Sequence, residues 1–310
     1  MNIILIHLGD KKIHHLTYCI KQILIFNKDA NIYLLSKPKC FNNLKSNIKN
    51  RIIYINYTKL NLSKEHIKFK KFNKTTNDKH KNFWIYTSER FLYLENIVKK
   101  FNLKDIFHIE NDCMIYFSLK KKISLFRQNY NIAIIPESNK NSIPVLIYFK
   151  DHNSLKILSD FFSKINLIYL KDVFFVKKFF KFKNDMQTLH KFLLMNYNKK
   201  KISNLPTISN QIDITEEKKV FNFSNNYKKF KGIFDPSYLG IHHDGLDRTF
   251  KGFKKVDKSI FIRPPFNLKD FKIKFLREKK FKLPFLINKN IKIRILNMHI
   301  HSKNLKKFIS

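Results

Sequence analysis

Two carboxylates stand one residue apart inside an otherwise apolar run, Phe107-His108-Ile109-Glu110-Asn111-Asp112-Cys113-Met114-Ile115-Tyr116. Burying Glu110 and Asp112 without partners would be costly, so they need a cation, hydrogen-bond partners or water. A divalent metal is one solution, because hard cations take carboxylate and phosphate oxygens. The end of a strand in an open α/β sheet is also where such ligands bind. A strand edge that turns into solvent, with an Asx turn at Asn111-Asp112, accounts for the same residues equally well.

A second constellation lies far along the chain, at Asn297-Met298-His299-Ile300-His301-Ser302-Lys303. On an extended backbone His299, His301 and Lys303 share a face, since side chains alternate with period two. Two imidazoles and an ammonium suit an anionic, metal-bearing site: a His ligates the metal and the Lys neutralises phosphate. A solvated strand end is the plainer alternative. Asn184-Asp185-Met186 opens a helix, with Asn184 suited to the N-cap and Asp185 to the positive end of the dipole.

The Glu110-Asn111-Asp112 triplet resembles the DxD motif of GT-A glycosyltransferases, with Glu in place of the first acidic residue. The resemblance implies a Mn²⁺ or Mg²⁺ ion held chiefly by Asp112, with Glu110 as a second carboxylate ligand and a late His, His299 or His301, completing the shell. It implies a nucleotide-diphosphate sugar, a UDP-sugar in the first instance, with Asn111 among the donor contacts. Thr87-Ser88-Glu89-Arg90-Phe91-Leu92 resembles the helix on which glycogenin-like transferases carry an Arg facing the donor, so Arg90 is expected at the sugar or its phosphates, with a surface arginine paired to a nearby Glu as the alternative. By the same resemblance Lys303 neutralises the diphosphate. Asp185 meets the acceptor hydroxyl and is the general base if the enzyme inverts. Ile6-His7-Leu8-Gly9 ends the first strand, where the family receives the base and ribose, which nominates His7 and Gly9. Phe234-Asp235-Pro236-Ser237-Tyr238-Leu239-Gly240 and His242-His243-Asp244-Gly245 read as a loop expected to line the acceptor side. The likeness is weak and spread over most of the chain.

These residues need a scaffold, and the chain alternates strand and helix signals. Residues 2 to 8 form an apolar run closed by Gly9-Asp10, and 14 to 28 carry apolar residues at helical spacing. Ala30 to Leu35 and Arg51 to Tyr57 read as further strands. Residues 61 to 82 are polar and Lys-rich, carry a weak helix signal at best, and read as a surface excursion. A helix is predicted over Phe83 to Lys100, and a strand over Ile106 to Tyr116 that the acidic triplet interrupts. Strands at 132 to 135 and 145 to 149, helices near 153 to 165 and 184 to 198, and an alternating stretch from Ile291 to His301 follow. The pattern weakens over 199 to 231. Parallel strands joined by helices give a doubly wound sheet. The predicted class is α/β, a Rossmann-like GT-A fold with a mostly parallel central sheet flanked by helices. One domain is expected over 1–310, with a nucleotide-sugar-binding half at 1–116 and an acceptor half at 117–310.

Composition narrows the function classes. The chain of 310 residues is 44% hydrophobic, which fits a globular protein and not a disordered one. Its net charge is +39, yet only seven of the 62 basic residues are Arg. Lys, Asn, Ile, Phe and Tyr are abundant, and A/T-rich codons encode all of them, so base composition accounts for much of the charge. Nucleic-acid readers favour Arg for bidentate contacts, and the Phe residues fall at core-like spacings, so no specific nucleic acid is expected as a partner. Peripheral contact with an anionic membrane is the remaining use for the charge. The three cysteines, Cys19, Cys40 and Cys113, form no paired motif, which fits a reducing compartment. With neither a leader pattern nor a long apolar segment, a cytoplasmic location is expected. The expected activity is metal-dependent transfer of a sugar to a glycan, lipid-linked or protein acceptor. A basic nucleic-acid-binding protein and a catalytically degenerate nucleotide-sugar binder are the alternatives.

Overall fold

The computed structural model describes residues 1–10, 13–73, 81–138, 140–171, 184–197, 199–207, 227–244, 272–289 and 292–310. In chain order the elements are β1 (Asn2–Ile6), α1 (Leu16–Phe26), β2 (Asn31–Ser36), α2 (Pro38–Asn42), α3 (Ser46–Lys49), β3 (Ile52–Asn56), α4 (Lys64–Asn73), α5 (Lys81–Lys100), β4 (Ile106–Ile109), β5 (Cys113–Ile115) and α6 (Leu119–Asn129). They continue with β6 (Ile132–Pro136), β7 (Ser142–Phe149), α7 (His152–Lys171), α8 (Asp185–Asn196), β8 (Ile202–Asn204), α9 (Tyr227–Phe230), α10 (Tyr238–Asp244), β9 (Lys272–Glu278), β10 (Phe281–Ile287), β11 (Lys292–Arg294) and β12 (Asn297–His299).

Seven strands form one sheet in the order β3-β2-β1-β4-β7-β6-β8. β1 pairs in parallel with β2 and β4, β2 with β3, and β6 with β8. Only β7 runs against its neighbours. The protein is therefore α/β and Rossmann-like, with a mostly parallel central sheet flanked by helices. Side-chain alternation explains why β1 reads as a continuous apolar run: Ile3 and Leu5 face one core, Ile4 and Ile6 the other. Each fully buried Ile or Leu there contributes about 1.5–3 kcal/mol.

The two faces are covered differently. Phe91, Leu94, Ile97 and Val98 of α5 bury one side together with Leu155, Leu158 and Phe162 of α7 and Leu189, Phe192 and Leu193 of α8. Leu16, Cys19, Ile20 and Ile23 of α1, at positions i, i+3, i+4 and i+7, bury the other with Leu119 and Phe126 of α6. The expected N-cap of α8 is present, with Asn184 Oδ1 accepting from the Gln187 amide at 2.9 Å.

Several segments depart from the sequence reading. Residues 61 to 82 were expected as a surface excursion, yet α4 packs inward with His66 and Phe69 buried. His66 Nε2 lies 2.8 Å from Glu89 Oε1, and the surrounding lysines masked that stripe. α6 was not among the expected helices, although Leu119, Ile123 and Phe126 stand at helical spacing and Ser118 caps it. Within 199 to 231, β8 and α9 are regular, while 208–226 lie outside the described residues. The stretch from Ile291 to His301 is not one strand, because β11 and β12 belong to different sheets; Ile291 lies outside the described residues. Among the described residues no helix is long and apolar enough to cross a membrane.

Candidate metal centre

The segment expected as one interrupted strand becomes two strands in two sheets. β4 stays in the main sheet, where the Glu110 amide makes the last rung to Val145 O at 3.0 Å. The chain then turns, with the Cys113 amide donating to Glu110 O at 3.1 Å and Asn111 Nδ2 to Ile6 O at 3.0 Å. This turn places the triplet beside the end of β1. β5 leaves for an antiparallel pair with β12, in which His299 stands opposite Cys113. α1 fixes β5 from beneath: Gln22 Nε2 donates to Ile115 O at 3.0 Å and Asn27 Nδ2 to Phe117 O at 3.1 Å.

That pairing delivers His299 to the carboxylates. Its Nε2 lies 3.1 Å from Asp112 Oδ1 and 3.6 Å from Glu110 Oε2. One potential ligand atom from each of Glu110, Asp112 and His299 falls within 4.8 Å of the other two. Two carboxylates and an imidazole suit a hard divalent cation with some tolerance for nitrogen, of which Mn²⁺ is an example. The donor set therefore fits the metal that the resemblance implies.

Arg90 on α5 anchors the other side. Its Nη1 donates to Glu110 Oε1 at 2.5 Å, its Nη2 to Asp185 Oδ2 at 2.5 Å, and its Nε to Thr87 O at 2.6 Å. Burial alone would raise Glu110, but Arg90 and then His299 hold it down at about 2. Burial is also the largest influence on Asp185 and raises it, Arg90 opposing. Beneath them His108 is pushed down to about 4 by burial and then by Arg90. Its neutral ring avoids placing a further cation under the guanidinium.

Lys303 takes a left-handed backbone, φ 63°, and its ammonium pairs with Asp112 Oδ2. Although the side chain is 41% exposed overall, burial of the ammonium pushes it down to about 8, with Glu110 opposing. Three carboxylates thus meet two cations, Arg90 and Lys303, which leaves one negative charge when His299 is neutral. A divalent ion would reverse that sign, which suits an anionic ligand.

The structure brings together Arg90, Glu110, Asn111, Asp112, Asp185, His299 and Lys303. His301 sits one step back: its Nε2 faces Ser237 Oγ at 2.9 Å and His299 Nδ1 at 3.2 Å. His7 ends β1 half-buried, its amide bonded to Leu35 O at 2.8 Å, and Gly9 follows at φ 153°, a backbone that side chains rarely adopt. His15 lies in the same neighbourhood, pushed down to about 3 by burial and then by Lys303 and His7.

The segment read as an acceptor-side loop leads instead into the helix α10. Phe234 through Gly240 is buried. Asp235 accepts four backbone N–H groups: Ser237 (2.8 Å) and Leu239 (2.9 Å) at Oδ1, Gly240 (2.9 Å) and His299 (3.0 Å) at Oδ2. It therefore caps α10 and fixes the His299 backbone in one contact set. Asn297 completes the joint, its Oδ1 accepting from the Asp235 amide at 3.0 Å. Gly240 is required here, because a Cβ would overlap the His299 carbonyl. The Asp-Pro-Ser-Tyr start of α10 was a helix-cap signal that pointed to Asp235. His243 lies exposed on α10, and Gly245 is outside the described residues.

No family model matches the chain, and no curated protein sequence matches it. Among solved structures it is similar to mouse xyloside xylosyltransferase 1 in its apo form, at 8% identity over 74% of this chain and 92% of that one, with a TM-score of 0.46. It is similar to an active-site mutant of LgtC at 12% identity, over 63% and 70% of the two chains, TM-score 0.41. It is similar also to a cytidylyltransferase from Leptospira borgpetersenii at 12% identity, over 69% and 77%, TM-score 0.37. These are likenesses of architecture, and the chemistry of this chain rests on its own residues.

Proposed function

We propose that the chain is a metal-dependent glycosyltransferase that uses a nucleotide-diphosphate sugar, a UDP-sugar in the first instance. The observation that carries this reading is the convergence of Glu110, Asp112 and His299 to within 4.8 Å, with Arg90 and Lys303 beside them. Glu110, Asp112 and His299 would hold Mn²⁺ or Mg²⁺, of which the nitrogen donor favours Mn²⁺. When bound, the ion supplies Lewis-acid stabilisation of the charge that grows on a leaving diphosphate.

The protein's own groups do the rest. Lys303 offers an ammonium that can pass from Asp112 to a phosphate oxygen, a charge-assisted contact that strengthens as the leaving group gains charge. Arg90, held by Thr87 O and two carboxylates, presents a fixed guanidinium to the donor side. Asn111, whose buried Oδ1 has no hydrogen-bond partner, adds an acceptor beside the end of β1, where His7 and Gly9 lie next to the base and ribose. Asp185 is engaged by Arg90 here. We read it first as the anchor of Arg90; it becomes the base for an acceptor hydroxyl if substrate draws Arg90 away. The acceptor is a hydroxyl of a glycan, a lipid-linked sugar or a protein.

The test is a screen of UDP-, GDP- and CDP-sugars by thermal stabilisation, with Mn²⁺ and with EDTA, followed by donor hydrolysis. Stabilisation by one nucleotide class that requires Mn²⁺ and disappears in Asp112→Ala is expected. Donor binding and turnover that persist in EDTA or in Asp112→Ala would overturn the metal assignment.

A further inference from the structure

An imidazole binds a metal through the lone pair of a deprotonated nitrogen, so the proton of a neutral ring must reside on the other nitrogen. For His299 the nitrogen facing the carboxylates is Nε2, which puts the proton on Nδ1. Nδ1 lies 2.6 Å from Ser237 Oγ. Ser237 Oγ is in turn 2.9 Å from His301 Nε2. A single assignment satisfies all three groups: His299 Nδ1–H donates to Ser237 Oγ, and the Ser237 hydroxyl donates to His301 Nε2.

Ser237 is held where it must be to do this. It is buried and adopts φ 100°, a left-handed conformation that costs a non-Gly residue roughly 1–3 kcal/mol. Asp235 imposes it by accepting the Ser237 amide at Oδ1 while accepting the His299 amide at Oδ2. One carboxylate therefore fixes the backbones of both partners in the hydroxyl–imidazole contact.

We propose that Ser237 is a positioning residue for metal coordination: its hydroxyl, backed by His301, holds His299 in the tautomer and orientation that present Nε2 to the ion. His301 acts through Ser237 and is not itself a ligand. Outer hydrogen-bond partners of metal-bound imidazoles commonly carry a tenfold or larger share of affinity. The inference rests on the metal reading above.

The test is Mn²⁺ titration by calorimetry on the wild type, Ser237→Gly, His301→Ala and His299→Ala. Ser237→Gly removes the hydroxyl yet suits φ 100°, so relief of backbone strain is expected to offset the lost hydrogen bonds and the protein to fold. Its Mn²⁺ affinity is nonetheless expected to fall about tenfold or more. ¹⁵N-histidine spectra with Mg²⁺ are expected to show His299 as the Nδ1–H tautomer in the wild type and as a mixture in Ser237→Gly. His301→Ala is expected to cost less affinity than His299→Ala. Unchanged Mn²⁺ affinity and tautomer in Ser237→Gly, or equal losses for the two histidine variants, would overturn the role of Ser237 while leaving the metal reading intact. A wild type that binds no Mn²⁺ would overturn both.

Discussion

His299 reaches Asp112 across an antiparallel pair of short strands, with Nε2 3.1 Å from Oδ1. The rung that secures this meeting is the Ile300 amide to Asp112 O at 2.9 Å. A slip of one residue between β5 and β12 would turn His299 to the opposite face, because strand side chains alternate with period two. The register of a three-residue pairing therefore governs whether the cluster exists at all. Asp235 and Gly240 act on that register from the α10 side, and Asn297 of β12 answers them by accepting the Asp235 amide.

Gly240→Ala tests this hold on β12. The new Cβ would overlap the His299 carbonyl, which is backbone and cannot swing aside. A stability loss of about 1–3 kcal/mol is expected from the overpacking, together with a loss of Mn²⁺ affinity. Urea denaturation and Mn²⁺ titration on the same preparation measure both. Wild-type values for both would mean that β12 is not clamped by α10.

Arg90→Met removes the cation between the buried carboxylate of Asp185 and the half-buried one of Glu110. Buried Asp185 would then lose its cation and face Glu110, which keeps His299 at 3.6 Å, and breaking a buried pair from one side costs about 3–5 kcal/mol. The double variant Arg90→Met with Asp185→Asn is expected to recover part of that loss, since one of the stranded charges is gone. Denaturation of the four proteins in the cycle reads the coupling. A single-variant loss below about 1 kcal/mol would place the pair in the class of surface contacts.

Asp105 supplies a pH test away from the cluster. Burial would raise its carboxyl, but hydrogen bonds and charge from Arg127, with Tyr148 adding, carry it below the ordinary value. The folded state thus binds this proton less readily than the unfolded chain. Its contribution is present above the unfolded value near 3.9 and is lost as pH falls through the lower folded value. Arg127 is 57% exposed, so solvent and salt screen part of the effect. Wild-type stability is expected to fall on acidification below about pH 4. Asp105→Asn is expected to show a shallower fall in that window, with the difference shrinking in high salt. Parallel slopes for the two proteins would remove Asp105 from the acid transition.

The sequence by itself determined the α/β class and most of the central strands. Ile3 to Ile6 and Ile32 to Leu35 lie in a sheet covered on both faces, so each buries as a continuous apolar run that local inspection detects. It also marked Glu110, Asn111 and Asp112, because a polar triplet inside such a run is a conflict visible without any fold. Local pattern did not reveal partners. That β5 leaves the main sheet for β12, that Arg90 bridges Glu110 and Asp185, and that Asp235 turns inward under His299 were decided by the tertiary structure. The inward packing of the helix around His66 was missed for a related reason, since the burial of His66 depends on Glu89 and not on its own neighbours in sequence. Period and composition record how deeply a residue is buried. Which distant residue meets it depends on strand register and on how layers pack, and those are properties of the whole folded chain.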